Sequence, residues 1–297
     1  MNNDVSTHSA ARELWRVIEP FHQLAYRSVE AVEAYRSIGL QQPQEQYFAT
    51  RLAALGEVSL PVATAVLYGF SPRYVATAIP HVWSLAAPLA VSAAREAGAR
   101  STLQRVLGDV MTSPEMAMAA VIARRAVEGA DYAGRPIAAA HAHLPWPRDA
   151  AMQLWHACTV LREYRGDAHW AVTSGEGIDA VECHILHAAD GAMPGDMLQR
   201  VSGWNNDEWQ AGAQRLVEKN LITTDGVSMT LTPSGEEVKM RIEYATDRDS
   251  WKSFDSVGMA EAERLRMLMT TWVKAIMDAG VIGAWKMREE LWRNLYK

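Results

Sequence analysis

Cysteine is almost missing from this chain: Cys158 and Cys183 are the two in 297 residues. Two thiols cannot build a disulfide framework, so the sequence points to a reducing, cytoplasmic setting. Long apolar runs are missing as well. The Ala-rich stretch from Val75 to Ala94 is interrupted by Pro80, His81 and Pro88 and cannot supply a membrane span. Met1 to Glu13 has neither a basic start nor an apolar core, so no signal peptide is expected. Positive charge is in deficit, with 29 Lys+Arg against 35 Asp+Glu, a net charge of −6 and a pI near 5.9. That balance argues against a surface built for bulk nucleic-acid or anionic-membrane binding. No phosphate-cradling glycine loop and no dinucleotide fingerprint occurs.

The composition that is present, 49% apolar and 22% charged, belongs to an ordinary globular protein large enough for two lobes. The 11 tryptophans imply large rigid aromatic contacts, in the core or lining a pocket. The chain also repeats itself. Leu14-Trp15 opens one helical segment and Leu154-Trp155 another; Gly69-Phe70-Ser71-Pro72 finds a counterpart in Gly203-Trp204-Asn205-Asn206. Both pairs lie roughly 140 residues apart, the signature of a duplicated supersecondary unit.

The first half reads as successive helices: Ala10–Arg27 kinked or split at Pro20, Val29–Ile38, Glu45–Leu55, Leu60–Tyr68 and Pro72–Trp83, the last interrupted by Pro80. Ser113-Pro114-Glu115 starts a helix that runs to about Gly129. Leu144-Pro145-Trp146-Pro147 cannot continue a helix and marks a lobe boundary. In the second half, a helix over Pro194–Val201, a turn at Ser202–Asn205, a helix from Asn206 to Lys219, a short strand over Val227–Thr232 and a helix from Glu236 follow the order of a winged helix-turn-helix. The expected division is a helical lobe over 1–147, a winged helix-turn-helix lobe over 148–252 and a helical cap over 253–297. In the cap, Leu265, Leu268, Trp272, Ile276, Trp285 and Leu291 need cover, and Met259, Met267, Met269 and Met277 read as adaptable core.

Leu216 through Ile222, a wing, and Leu231-Thr232-Pro233-Ser234-Gly235 resemble the DNA-binding half of MarR-type regulators. Up to about Asp249 the chain resembles an actinobacterial helix-turn-helix-like family of uncharacterised activity. The residues that carry the likeness are Leu14-Trp15, Glu19-Pro20 with His22 and Tyr26, Tyr47-Phe48-Ala49 with Arg51, Tyr68-Gly69-Phe70 with Pro72, Leu144 to Pro147, and Leu161 to His169. Ala54 departs from it, where a proline is expected. The resemblance implies a mainly α fold of duplicated winged-helix-like lobes with a pseudo-twofold, a small β-wing and C-terminal helices.

A DNA reader needs cations on its recognition helix and wing. Here that helix opens Asn206-Asp207-Glu208, with Arg215 and Lys219 toward its far end, and the wing carries Asp225 and no Lys or Arg. Arg73 and His81 are all the first copy offers. A scaffold that no longer reads DNA is therefore favoured over a ligand-responsive regulator, although Asn205 and Asn206 could reach bases.

The densest chemistry lies in Arg162 to His169. On a helix over Ala150–Thr173, Leu154, Ala157, Leu161, Tyr164, Ala168 and Val172 form a buried stripe. His156, Glu163 and Asp167 share one polar edge; Arg162, Arg165 and His169 share the other. Glu163 and Asp167 repel at i,i+4, Arg165 faces His169, Trp155 and Trp170 lie among them, and Gly166 suggests a close approach. Two explanations fit: a salt-bridge lock between the lobes, or a site in the interlobe cleft. In the site reading, Glu163 or Asp167 is a carboxylate of raised pKa, His169 or His22 a general acid/base, and Arg162 and Arg165 hold an anionic oxygen. Trp155, Trp170, His22, Tyr26 and Arg51 line the ligand, and Glu19 completes the set. The function expected is small-molecule binding, with enzymatic activity open, in a monomer or homodimer that does not engage membranes. Cys183, His184 and His187 contain a helix-spaced Cys/His pair, but no second pair stands nearby in sequence, so no metal site is expected. No pattern calls for haem at His169 or His187, the cofactor stays unknown, and His141-Ala142-His143 reads as surface.

Overall fold

The structure is a computed structural model that describes residues 2–226 and 228–282. It is mainly helical, with one two-stranded sheet. In chain order the helices are α1 (Asn2–His22), α2 (Leu24–Arg27), α3 (Val29–Ser37), α4 (Pro43–Leu52), α5 (Leu60–Val66), α6 (Pro72–Val75), α7 (Val82–Leu85), α8 (Pro88–Leu107), α9 (Pro114–Glu128), α10 (Pro136–Ala142) and α11 (Ala150–Gly175). Then come α12 (Ala180–Ala189), α13 (Gly195–Ser202), α14 (Asn206–Glu218), strands β1 (Ile222–Thr224) and β2 (Met229–Leu231), α15 (Pro233–Trp251) and α16 (Met259–Asp278).

Local chemistry explains most of these boundaries. Proline occupies the first turn of α4, α5, α6, α8, α9 and α10, where its missing N–H costs nothing and its fixed φ suits the helix. The Ser113 hydroxyl accepts from the Met116 N–H and caps α9 as the sequence suggests. Capping boxes start α12 (Asp179 with Glu182) and α14 (Asn205 with Glu208). Pro20 is tolerated inside α1, and the break comes after His22. The segment Pro72–Trp83 is interrupted, as Pro80 leads one to expect. Helical structure there is confined to α6 and α7, because Pro80 can neither donate a hydrogen bond nor let its neighbour stay helical. Trp285 and Leu291 lie outside the described residues.

Two compact units emerge, each built from separated stretches of sequence. The first comprises residues 2–58, Ala78–Ala168 and 247–282; the second comprises Ser59–Thr77 and His169–Thr246. In the first, the initial turns of α11 are buried on every side: Leu154, Ala157, Cys158, Thr159, Val160 and Glu163 have almost no exposure. Around them α3 packs along α8, and α16 packs along α1 and α9. Leu265, Trp272 and Ile276 of α16 are buried and Leu268 half-buried, as the need for cover implied. Of its methionines Met269 is buried, but Met259 and Met267 are exposed, so the expectation of a methionine core fails there.

The second unit is a helix-turn-helix with a wing. Val181, Ile185, Leu198, Trp209, Leu216, Ile222 and Ile242 form its core. β1 and β2 pair antiparallel with Ile222 opposite Leu231 and Thr224 opposite Met229. Gly203 ends α13 in the left-handed conformation (φ 77°), and a Cβ there would stand 2.3 Å from that of Tyr74. No single described helix is long and apolar enough to cross a membrane.

Glycines on two helices make opposite predictions. A Cβ on Gly98 of α8 would lie 2.5 Å from the Ala31 Cα of α3, a backbone atom that cannot step aside. Gly98→Ala should lower stability by about 1–3 kcal/mol in urea unfolding. At Gly166 a Cβ would meet only Glu163 Oε2 of its own helix at 3.7 Å, so the close approach expected there is not made. Gly166→Ala should leave stability unchanged or raise it by up to about 1 kcal/mol.

Candidate functional site

Glu163 is the centre of a polar cluster inside the first unit. Its carboxylate accepts from Arg51 Nη2 of α4 at 2.6 Å and from Arg162 Nη1 at 3.0 Å through both oxygens. Arg162 Nε reaches Glu19 of α1 at 3.1 Å, and Gln23 donates to that same Glu19. Burial pushes the Glu163 carboxyl upward, but Arg162 and Arg51 outweigh it and hold its pKa well below the ordinary range. The expected raised pKa is therefore not found at Glu163. A carboxylate clamped by two guanidiniums is a poor proton acceptor.

His22 and Tyr26 stand one turn apart on α1 beside this pair, their rings 5.1 Å apart, and Tyr26 touches Tyr47 at 5.0 Å. The Thr159 hydroxyl donates to the Trp155 carbonyl and accepts from Arg95 Nη2 at 3.0 Å. Its contact with His22 Nδ1, 3.1 Å, is thus one in which the imidazole donates, leaving His22 Nε2 as the acceptor nitrogen. Burial, then Arg162 and Arg95, pushes the His22 pKa well down and keeps the ring neutral.

Arg95 is the residue that the sequence hid. It lies on the buried stripe of α8 with Val91, Ala99 and Thr102, and is 4% exposed. Its guanidinium sits over the Trp155 ring, 4.5 Å from the centroid, and no carboxylate among the described residues lies within ion-pair distance. His141 is a second omission. Read as surface, it is 2% exposed, and burial followed by Arg95 pushes its pKa down to about 3. The signal was available: with Ile137 and Ala138 it occupies one face of α10. Around these groups are buried polar atoms with no hydrogen-bond partner among the described residues: His22 Nε2, Tyr26 OH, Arg51 Nε, Arg95 Nε, both His141 ring nitrogens, Trp155 Nε1 and His156 Nε2.

The remaining members of the expected site go elsewhere. Asp167 accepts the Ile137 and Ala138 N–H groups at 3.0 Å each, capping α10. Burial first, and its anionic neighbour Glu163 after it, pushes its pKa up to about 6, against the pull of those N–H groups. Arg165 pairs with Asp247 at 2.9 Å, a carboxylate that also binds Arg12 at 2.8 Å and His8 at 3.2 Å. His169 and Trp170 belong to the second unit. There His169 bonds Thr246, and Trp170 packs on Tyr68 and Gly69. The eight-residue charge run is thus several separate devices.

The exposed face of α14 carries Asn206, Asp207, Gln210, Gln214 and Glu218. Its cations are committed within the unit: Arg215 to Asp179 (2.6 Å) and Glu182 (3.3 Å), Lys219 to Glu182 (2.7 Å). Arg73 is held by Glu208 at 3.0 Å and Arg241 by Glu176 at 2.9 Å.

Asp167 generates a pH prediction. Its folded pKa of about 6 exceeds the unfolded value of about 4, so the folded state binds the proton more tightly and this residue's contribution to stability declines as pH rises through that window. Glu163 has the opposite sign, its stabilisation being lost only as pH falls through its depressed pKa. In thermal melts across pH 4 to 6 (about the two Asp167 values), Asp167→Asn should remove the declining component. The substitution keeps an oxygen for the α10 N–H groups. An unchanged pH slope in the variant would mean that Asp167 is ionised throughout.

No curated protein and no solved structure matches the chain. A family model described as a helix-turn-helix family matches residues 11–283, nearly all of the described structure. With α13, the turn at Gly203, α14 and the β1–β2 wing in sequence order, the chain belongs to the helix-turn-helix family.

Proposed function

We propose that this helix-turn-helix protein binds a small anionic molecule in the interior of its first unit, on a scaffold that no longer reads DNA. Arg95 carries the reading. Within the cluster the guanidiniums of Arg51, Arg95 and Arg162 face the carboxylates of Glu19 and Glu163, and the unmatched cation is Arg95. Among the described residues its partners are a hydroxyl and a ring face, short of the compensation that a buried charge requires. An oxyanion beside Arg95 Nε would supply it. His22 Nε2, an acceptor, and the Tyr26 hydroxyl favour a ligand that also offers a hydrogen-bond donor, such as a hydroxycarboxylate. Glu163 holds Arg51 and Arg162 in place.

The acidic and amide surface of α14 supports the loss of DNA reading, since its cations are spent on Asp179 and Glu182. A ligand-responsive regulator of MarR-type order is the second reading, favoured by the wing and by exposed Asn205, Asn206 and Gln210. An internal duplication belongs to the same proposal. The paired segments share hydrogen bonds, Ser71 N–H donating to the Ser202 carbonyl at 2.9 Å and Arg73 to the Gly203 carbonyl at 3.1 Å.

Native mass spectrometry of the purified protein, followed by melts against hydroxycarboxylates and phosphate, tests the reading. A ligand at 100 times its Kd should add about 2.7 kcal/mol. Arg95→Met should abolish that gain while leaving the ligand-free protein at least as stable as wild type. Glu163→Gln should instead cost about 3–5 kcal/mol by stranding two cations. A ligand-free Arg95→Met variant that melts well below wild type, or tight salt-steep binding of DNA by the wild type, overturns the proposal.

A further inference from the structure

The second unit holds a group of ligand-type side chains that plays no part in the anion reading. Cys183 and His187 stand one turn apart on α12, and His169 of α11 meets them, one donor atom from each lying within 4.8 Å of the others. Cys183 Sγ and His169 Nε2 are 4.0 Å apart, and the two imidazole centroids 6.3 Å. These side chains border a cavity of about 10 Å³. That is the space of one water-sized sphere.

The orientation of His169 is set from behind. The Thr246 hydroxyl donates to the Ile242 carbonyl at 2.7 Å, so its oxygen receives the His169 Nδ1 proton across 3.1 Å. Nε2 then carries the lone pair, and it is the nitrogen turned to Cys183. An oxygen acceptor that fixes the tautomer of an imidazole from behind is the kind of support that metal-binding histidines use, supplied here by a hydroxyl. Lys239 also lines the cavity. Lys239 itself is drawn to Asp190 at 2.6 Å, which offsets its charge near the cavity.

We propose that His169, Cys183 and His187 bind one zinc ion, with the fourth tetrahedral position on the side of Glu243, which also lines the cavity. Zinc–sulfur and zinc–nitrogen bonds of roughly 2.3 and 2.0 Å place tetrahedral S and N donors roughly 3.5 Å apart, so a small contraction of the existing geometry suffices. A thiolate with two imidazoles suits zinc and not magnesium or calcium. On binding, the Cys183 S–H bond is replaced by S–Zn and one proton leaves to solvent; both histidines give lone pairs, and nothing is oxidised or reduced.

The full chain, stripped with chelator, is titrated with zinc and separately with cobalt(II). The expected result is one ion per chain, a higher Tm reversed by chelator, and a tetrahedral cobalt spectrum with a thiolate-to-cobalt charge-transfer band. Cys183→Ser should lose that band and Cys158→Ser should keep it. Thr246→Val should keep the spectrum while weakening affinity about 10–100-fold. Folded wild-type protein that takes up no zinc, a cobalt spectrum without the charge-transfer band, or a band that survives Cys183→Ser overturns the site. Should Cys183→Ser not fold, His187→Gln decides: wild-type affinity in that variant equally overturns it. Arg95→Met should leave metal binding intact, which separates this proposal from the anion reading.

Discussion

A carboxylate with no access to water has to be met by cations, and Glu163 sits at the middle of a helix that is itself surrounded. Arg51 and Arg162 meet it, and Glu19 in turn meets Arg162. Burying either partner alone would cost several kcal/mol, so α1, α4 and α11 must arrive together for the first unit to close. Other side chains are placed by that closure. Thr159, one turn before Glu163, gathers Arg95 and His22 on its hydroxyl; Asp167, one turn after, takes the first N–H groups of α10. Arg165 reaches away to Asp247. One helix therefore organises its neighbours through polar groups as much as through its apolar stripe.

The winged helix follows a different electrostatic logic. Asp179 and Glu182 form the capping box of α12 and also hold Arg215 of α14 and Lys219 just past its end. Cations that a DNA-reading surface would turn outward are used to fasten one helix to the next. The acidic start of α14 favours its own helix dipole and repels phosphate. The helix-turn-helix order is present in the backbone, and the cations nearest its second helix are paired with carboxylates of the same unit.

Legibility in the sequence varied with the range of the force involved. Helix starts at Ser113-Pro114 and after Asn205 were readable because capping chemistry acts over three or four residues. The wing was readable from alternation bounded by Asp225-Gly226 and Pro233. The break between α6 and α7 was readable from Pro80, whereas the burial of His141 was not, because a histidine beside a proline-rich linker looks like surface. Glu163, Arg162, Arg51, His22, Tyr26 and Trp155 were named together and do gather. Asp167, Arg165, His169 and Trp170 were named with them and do not, since an angular position on a helix says nothing of what packs against it.

By itself the sequence determined the helices, their caps, the helix-turn-helix order and the deficit of free positive charge, all properties of near neighbours along the chain. The tertiary structure alone decided which charges are compensated. Arg95 sits in an alanine-rich helix like a solvated arginine, and only the packing of α8 on α11 turns it into a buried cation over Trp155. His169 likewise reads as part of a charge run until α12 and α15 bring Cys183, His187 and Thr246 around it. Charge and ligation are matters of what lies within a few ångströms, and for these residues those neighbours come from segments distant in sequence.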